Sequence, residues 1–154
     1  MNIKMIAFRK ATIKDKEQVA YLMTLLHDDL PLQEALEEYD YFLEKGVFFI
    51  ACDGDKIVGY VHGVIRTDYV EGSEQYRDVK VGYIESLFVL PEYHNKGIAK
   101  KLCAMLEEWS IEKGAKEFAS DAYADNKGSI EFHKAIGFTV SKPIVGFIKK
   151  FELK

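Results

Sequence analysis

The stretch that most constrains the fold is Tyr83 to Lys101, YIESLFVLPEYHNKGIAKK. It belongs to a run, Val81 to Val89, that is apolar on both faces apart from Glu85 and Ser86, the signature of a strand inside a sheet rather than at its edge. A short loop follows, and after Gly97 the residues Ile98, Leu102, Met105, Leu106 and Trp109 recur at helical spacing up to Gly114. A buried strand feeding a helix through a glycine-containing loop leaves the first amides of that helix unpaired and facing out, an arrangement suited to a phosphate-bearing ligand. Gly97 and Ala99 let an anion approach the backbone, and Lys96 and Lys100 add positive charge.

Periodicity places the remaining elements around this junction. Lys4 to Arg9 reads as an edge or near-edge strand, and Thr12 with Asp15 has the form of a helix start. Val19, Leu22, Met23 and Leu26 then mark one face of a helix that ends near His27. Pro31 opens a second helix, apolar at Leu32, Leu36, Tyr39 and Leu43 and stopped by Gly46. Val47 to Cys52 and Lys56 to Arg66 form a hairpin through Asp53-Gly54-Asp55. Thr67 to Val79, with four carboxylates against Arg77, reads as an exposed acidic loop of the kind that borders substrates. A strand over Glu117 to Asp121, a helix over Lys127 to Ile136 closed by Gly137, and strands over Phe138 to Val140 and Val145 to Phe151 complete the chain. The expected fold is α/β or α+β, a mixed central sheet flanked by helices in the order β-α-α-β-β-β-α-β-α-β-β, and the 154 residues are expected to make one domain.

Composition excludes some classes of function. No apolar run approaches the roughly 18 to 20 residues of a membrane helix, and the first residues read as a strand rather than a signal peptide, so a cytoplasmic protein without a membrane partner is expected. A net charge of −4 argues against a nucleic-acid surface and fits a small cationic partner. Cys52 and Cys103 have neither metal nor redox spacing and are expected as buried free thiols, with no metal bound.

His94-x-x-Gly97-x-Ala99 resembles the Gln/Arg-x-x-Gly-x-Gly/Ala motif of the GNAT superfamily of acetyl-CoA-dependent N-acetyltransferases, with histidine in the first position. The element order and NKGSIEFHKAIGF, Asn126 to Phe138, are similar to that superfamily as well. Asp68-Tyr69-Val70-x-Gly72, FVLPEYHNKGIAKKL, EFASDA and FHKAIGF resemble the bacterial aminoglycoside 6'-N-acetyltransferases over the C-terminal two-thirds of the chain. The resemblance implies that Leu87, Phe88 and Val89 run beside the pantetheine arm of acetyl-CoA. Asn95, Lys96, Gly97, Ile98, Ala99 and Lys100 would hold its pyrophosphate, and Asn126 would also bind it. Tyr69, Glu85 and Asp121 would face the acceptor, with His27 nearby. His27 follows Leu26 where a tryptophan is expected in such enzymes, and Lys142 stands where an acidic substrate contact is expected.

The chemistry sets its own demands. An alkyl ammonium with a pKa of about 10 is neutral in only about one molecule per thousand at pH 7, and only the neutral amine attacks a thioester. Glu85, misplaced in an apolar strand, and Asp121, at a strand end, are candidates to accept the proton directly or through water, or to hydrogen-bond a cationic substrate. A backbone N–H near Leu87 to Val89 would serve the oxyanion if strands splay or a bulge interrupts pairing. No covalent nucleophile is evident, so direct transfer is expected. His133, four residues before Gly137-Phe138, stands where many GNAT enzymes carry a tyrosine acid. It either protonates the leaving thiolate or packs against the cofactor.

Three functions remain open: an aminoglycoside enzyme, an N-acetyltransferase for another amine such as a polyamine, small metabolite or peptide N-terminus, and a silent acyl-CoA binding module. A homodimer is an option because the apolar segment Ile144 to Phe151 can pair or swap at a sheet edge.

Overall fold

The computed structural model describes residues 5–68, 70–73 and 79–153. The chain forms two compact units, Met1–Asp121 and Ala122–Lys154. The first holds strands β1 (Ile6–Lys10), β2 (Val47–Asp53), β3 (Lys56–Arg66), β4 (Val81–Val89) and β5 (Glu117–Ala119) with helices α1 (Lys16–Leu26), α2 (Leu32–Lys45) and α3 (Ile98–Glu112). The sheet runs β1-β2-β3-β4-β5, antiparallel except for the parallel β4–β5 pair. The mixed sheet with flanking helices is the expected architecture, and β1 is the edge strand.

Local chemistry explains the element starts. Thr12 and Asp15 form a capping box over a single 3-10 turn that leads into α1. Asp15 is buried, accepts two 2.8 Å bonds from Arg9 on β1 and another from the Thr12 N–H, so α1 begins at a fixed point on the edge strand. The Arg9 guanidinium holds the Asp15 carboxyl below its ordinary range against the opposing effect of burial. At the β2–β3 turn, Gly54 takes φ +61°, and Gln18 of α1 clasps both the Asp55 carbonyl and the Ile57 N–H.

The two faces of the sheet are covered differently. Tyr39 and Phe42 of α2 pack on Phe48 and His62, while α3 contacts β2, β3 and β4. A Cβ on Gly63 would lie 2.4 Å from Leu106, and one on Gly82 would lie 2.2 Å from Ser110, so small residues on β3 and β4 let α3 approach closely.

Gly46, expected as a helix stop, is required by a close approach rather than by a left-handed backbone. Its φ is −147°, and a Cβ there would lie 2.2 Å from the Gly63 carbonyl oxygen. A backbone atom cannot turn aside as a side chain can. Gly46→Ala is therefore expected to destabilise the fold by about 3 kcal/mol. That corresponds to a drop of about 6 to 12 °C in a thermal melt.

The second unit contains α4 (Lys127–Ala135), begun by Asn126, whose side chain accepts from the Ser129 N–H, and followed by Gly137 at φ +104°. The strands expected over Phe138 to Val140 and Val145 to Phe151 do not form. A strand needs a neighbour's N–H and C=O groups, and within this unit the one regular element among the described residues is a helix. Six large apolar side chains of the segment, Ile144, Val145, Phe147, Ile148, Phe151 and Leu153, are left 71% to 94% exposed. No helix among the described residues is long and apolar enough to cross a membrane.

Candidate active site

Two irregularities of β4 make the site. In the β3–β4 ladder His62 faces Ser86 and Gly63 faces Ile84, so Glu85 is an extra residue with no partner across the pair, a β-bulge. On the other side β4 pairs with β5 only from Val81 to Tyr83, opposite Glu117 to Ala119. Opposite Tyr83, β5 ends at Ala119, and β4 runs on past it. Leu87, Phe88 and Val89 remain paired with Val61, Tyr60 and Gly59 of β3, and alternate N–H groups of that run point away from β3 to the side that β5 leaves open. Of the two conditions expected near Leu87 to Val89, the bulge is present, and it falls earlier, at Glu85.

The bulge turns Glu85 out of the strand's alternation. Its side chain is exposed, and it has no hydrogen-bond donor among the described residues. Partial desolvation against the sheet lifts its carboxyl above the ordinary range; Arg66 opposes the rise, and Asp121 and Asp68 add to it. Asp121 follows β5 by two residues rather than ending it, and its Oδ2 accepts a short hydrogen bond from the Tyr83 hydroxyl. Arg66 at the end of β3 grips Asp68 through two bonds of 3.0 and 2.7 Å and lies 4.7 Å from the centre of the Tyr83 ring. Glu85, Asp121, Asp68, Arg66 and Tyr83 therefore form one electrostatic cluster. The sequence reading placed Glu85 and Asp121 at a substrate but missed Arg66, whose one local signal was a carboxylate two residues on.

The loop beyond β4 has the properties an anion needs. Asn95 and Gly97 take φ +59° and +78°, and the first helical bond of α3 runs from the Lys101 N–H to the Gly97 carbonyl. No side chain caps this helix, so the amides of Ile98, Ala99 and Lys100 remain donors at its positive end. Space around Gly97 is open to 4 Å, and Asn95, Lys96 and Lys100 are exposed around it. His94, the departure from the family motif, joins Nε2 to the Val89 carbonyl at 2.7 Å and so ties the loop to the end of β4.

His27 is the exposed C-cap of α1, and no hydrogen bond or ion pair of the described residues ties it to Glu85 or Asp121. Tyr69 lies outside the described residues. In the second unit, Asn126 uses its Oδ1 to cap α4, and His133 bonds through Nδ1 to the Ser129 carbonyl at 2.7 Å, edge-on to Phe132 and Phe138. Cys52 and Cys103 are buried free thiols, and burial raises both; Cys103 is pushed up to about 12. Among the described residues no group of three His, Cys, Asp or Glu side chains is placed to hold a metal ion.

A strand that outruns its parallel neighbour, a bulge carrying a carboxylate, and an uncapped helix N-terminus define an acyltransferase architecture. The chain belongs to the Acetyltransferase (GNAT) family, whose model matches residues 13–138. It is 31% identical over 153 residues to an aminoglycoside N(6')-acetyltransferase type 1 of Acinetobacter haemolyticus, covering 99% of this chain and 100% of that one. It is 34% identical over 102 residues to the type 1 enzyme of Salmonella typhimurium, 66% of this chain and 68% of that protein. The structure of AAC(6')-Iy in complex with the bisubstrate analogue CoA-S-monomethyl-acetylneamine superposes with a TM-score of 0.87 at 28% identity, covering 95% of this chain and 99% of that one.

Proposed function

We propose that this protein transfers the acetyl group of acetyl-CoA to the 6'-amine of an aminoglycoside by direct attack, and so confers resistance on a cell that carries it. The observation that carries the reading is the bulge at Glu85 beside the end of β5, which brings carboxylates and backbone donors without a strand partner among the described residues to one stretch of sheet. Relatives named as aminoglycoside N(6')-acetyltransferases along nearly the whole chain support the acceptor. The family match crosses the boundary between the two compact units, which supports a single N-acetyltransferase domain.

In this reading the α3 N-terminus, with Asn95 to Lys100, takes the pyrophosphate of acetyl-CoA, and Leu87 to Val89 run beside its pantetheine arm. Asp121 and Tyr69 hold the cationic acceptor, and His27 contributes to its outer binding surface. Glu85 accepts the ammonium proton, directly or through a water. The freed lone pair forms the C–N bond, a β4 amide facing the opened side stabilises the oxyanion, and the C–S bond breaks with the electron pair leaving on sulfur. The nitrogen, still carrying one proton more than an amide holds, gives it up, and the thiolate takes a proton in its turn. His133 can supply it only with a proton on Nε2, because Nδ1–H donates to the Ser129 carbonyl. Asn126 offers the cofactor its side-chain amide while its Oδ1 caps α4.

Acetyl-CoA consumption over a panel of kanamycin-like aminoglycosides, polyamines and amino-terminal peptides tests this assignment. Turnover of the aminoglycosides supports it. Turnover of polyamines or peptides alone would replace the acceptor, in keeping with the exposed His27 and with Lys142, and silence across the panel would leave an acyl-CoA binding module. At the cofactor, Gly97→Ala is expected to raise KM for acetyl-CoA about tenfold, since a side chain costs about 1 to 2 kcal/mol in the left-handed conformation and projects a methyl group toward the anion. Steady-state kinetics with acetyl-CoA varied would show the change.

A cytoplasmic location, where acetyl-CoA is at hand, completes the proposal. A homodimer is supported by the exposed apolar side chains between Ile144 and Leu153, which a second copy would cover. Light scattering that returned one chain's mass would remove the dimer from this reading.

A further inference from the structure

Asp121 is poorly held by its own backbone. It lies past the last paired residue of β5, Ala119, and its side chain is exposed. A carboxylate on such a segment would sample many orientations unless something fixed it. The described residues supply one fixing contact, the Tyr83 hydroxyl on Oδ2.

Tyr83 suits that task. Its ring is buried in a small core with Val70 and Val81, against which Val64 and Ala119 also pack. The Arg66 guanidinium covers the ring at 4.7 Å and is itself held by its paired bonds to Asp68. With the ring locked on both sides, the hydroxyl emerges at one place. Packing alone would be satisfied by phenylalanine; the buried phenol needs a partner, and it finds Asp121.

We propose that Tyr83, with Arg66 seated on its ring, is a positioning residue that aims the Asp121 carboxylate at the acceptor amine. Oδ2 is tied to the Tyr83 hydroxyl, and Oδ1, without a partner among the described residues, is left to receive the substrate. The charged and titratable groups facing this pair are Arg66 on β3, Asp68 just after it, and Glu85 on β4. Burial and the Asp121 carboxylate both push the Tyr83 phenol up, so it stays a donor at any working pH. The inference rests on the reading of Asp121 as an acceptor contact.

A double-mutant cycle tests it, with Tyr83→Phe, Asp121→Ala and the pair compared with wild type in acetyl-CoA turnover of an aminoglycoside. A hydrogen bond to a charged group predicts that Tyr83→Phe raises KM for the acceptor about tenfold. KM for acetyl-CoA should stay at the wild-type value. In the Asp121→Ala background the same change should have less than about a twofold effect. Equal losses in both backgrounds, a matching rise in KM for acetyl-CoA, or no change at all would overturn the tether while leaving the acetyltransferase reading in place. A wild-type enzyme silent on every amine would overturn both.

Discussion

Glu85→Gln is expected to lower kcat by about 100- to 1,000-fold, the range for loss of a positioned general base. Glutamine keeps the shape and the bulge but cannot accept the proton, so KM for acetyl-CoA should hold. The pH dependence follows from the cluster. Partial desolvation raises the Glu85 carboxyl, Arg66 opposes the rise, and Asp121 and Asp68 add to it. The active form is the carboxylate, so kcat/KM for the acceptor should fall on the acid side at a pH above that of an ordinary glutamate. Arg66→Met removes the opposing cation and should carry this limb further up the pH scale. A limb that stays in place would mean that another group takes the proton.

His62→Phe should change how the fold responds to acid. His62 is 3% exposed, is stacked on Phe48 at 4.4 Å, and its Nε2 has no hydrogen-bond partner among the described residues. Burial pushes its pKa from 6.5 down to about 4. Since the folded value is the lower one, the unfolded chain takes up the proton first as pH falls. The stability tied to neutral His62 is therefore complete above about pH 6.5 and is lost progressively toward pH 4, where it amounts to about 3 kcal/mol. Asp15, depressed by Arg9, also gives acid sensitivity, but only within the carboxylate range. Urea melts at pH 7 and pH 5 should separate the two, with wild type losing stability across that interval and His62→Phe remaining nearly level. Parallel losses in both proteins would assign the sensitivity to other groups.

Local grammar was readable along most of the chain. Thr12 and Asp15 announced a helix start, Asp53-Gly54-Asp55 a tight hairpin, and the apolar run Val81 to Val89 an interior strand, because capping, turn geometry and alternation each act over a few residues. Glu85 stood out for the same reason, as a charge in an apolar strand. The strands expected at Phe138 to Val140 and Val145 to Phe151 failed because apolar character makes a strand available without supplying a partner. The reason for Gly46 was also hidden, since the carbonyl that excludes a side chain there belongs to Gly63, seventeen positions away.

The family resemblance at Gly97-x-Ala99 and the order of elements as far as α4 were legible from residue type and spacing, and Glu85 and Asp121 stood out there as candidate carboxylates. The bulge at Glu85, the end of β5 opposite Tyr83 where β4 runs on, and the union of Arg66, Tyr83 and Asp121 belong to tertiary structure. They depend on strand register and on side chains that meet from β3, β4 and the run after β5, and no periodicity along a single segment encodes a contact between segments.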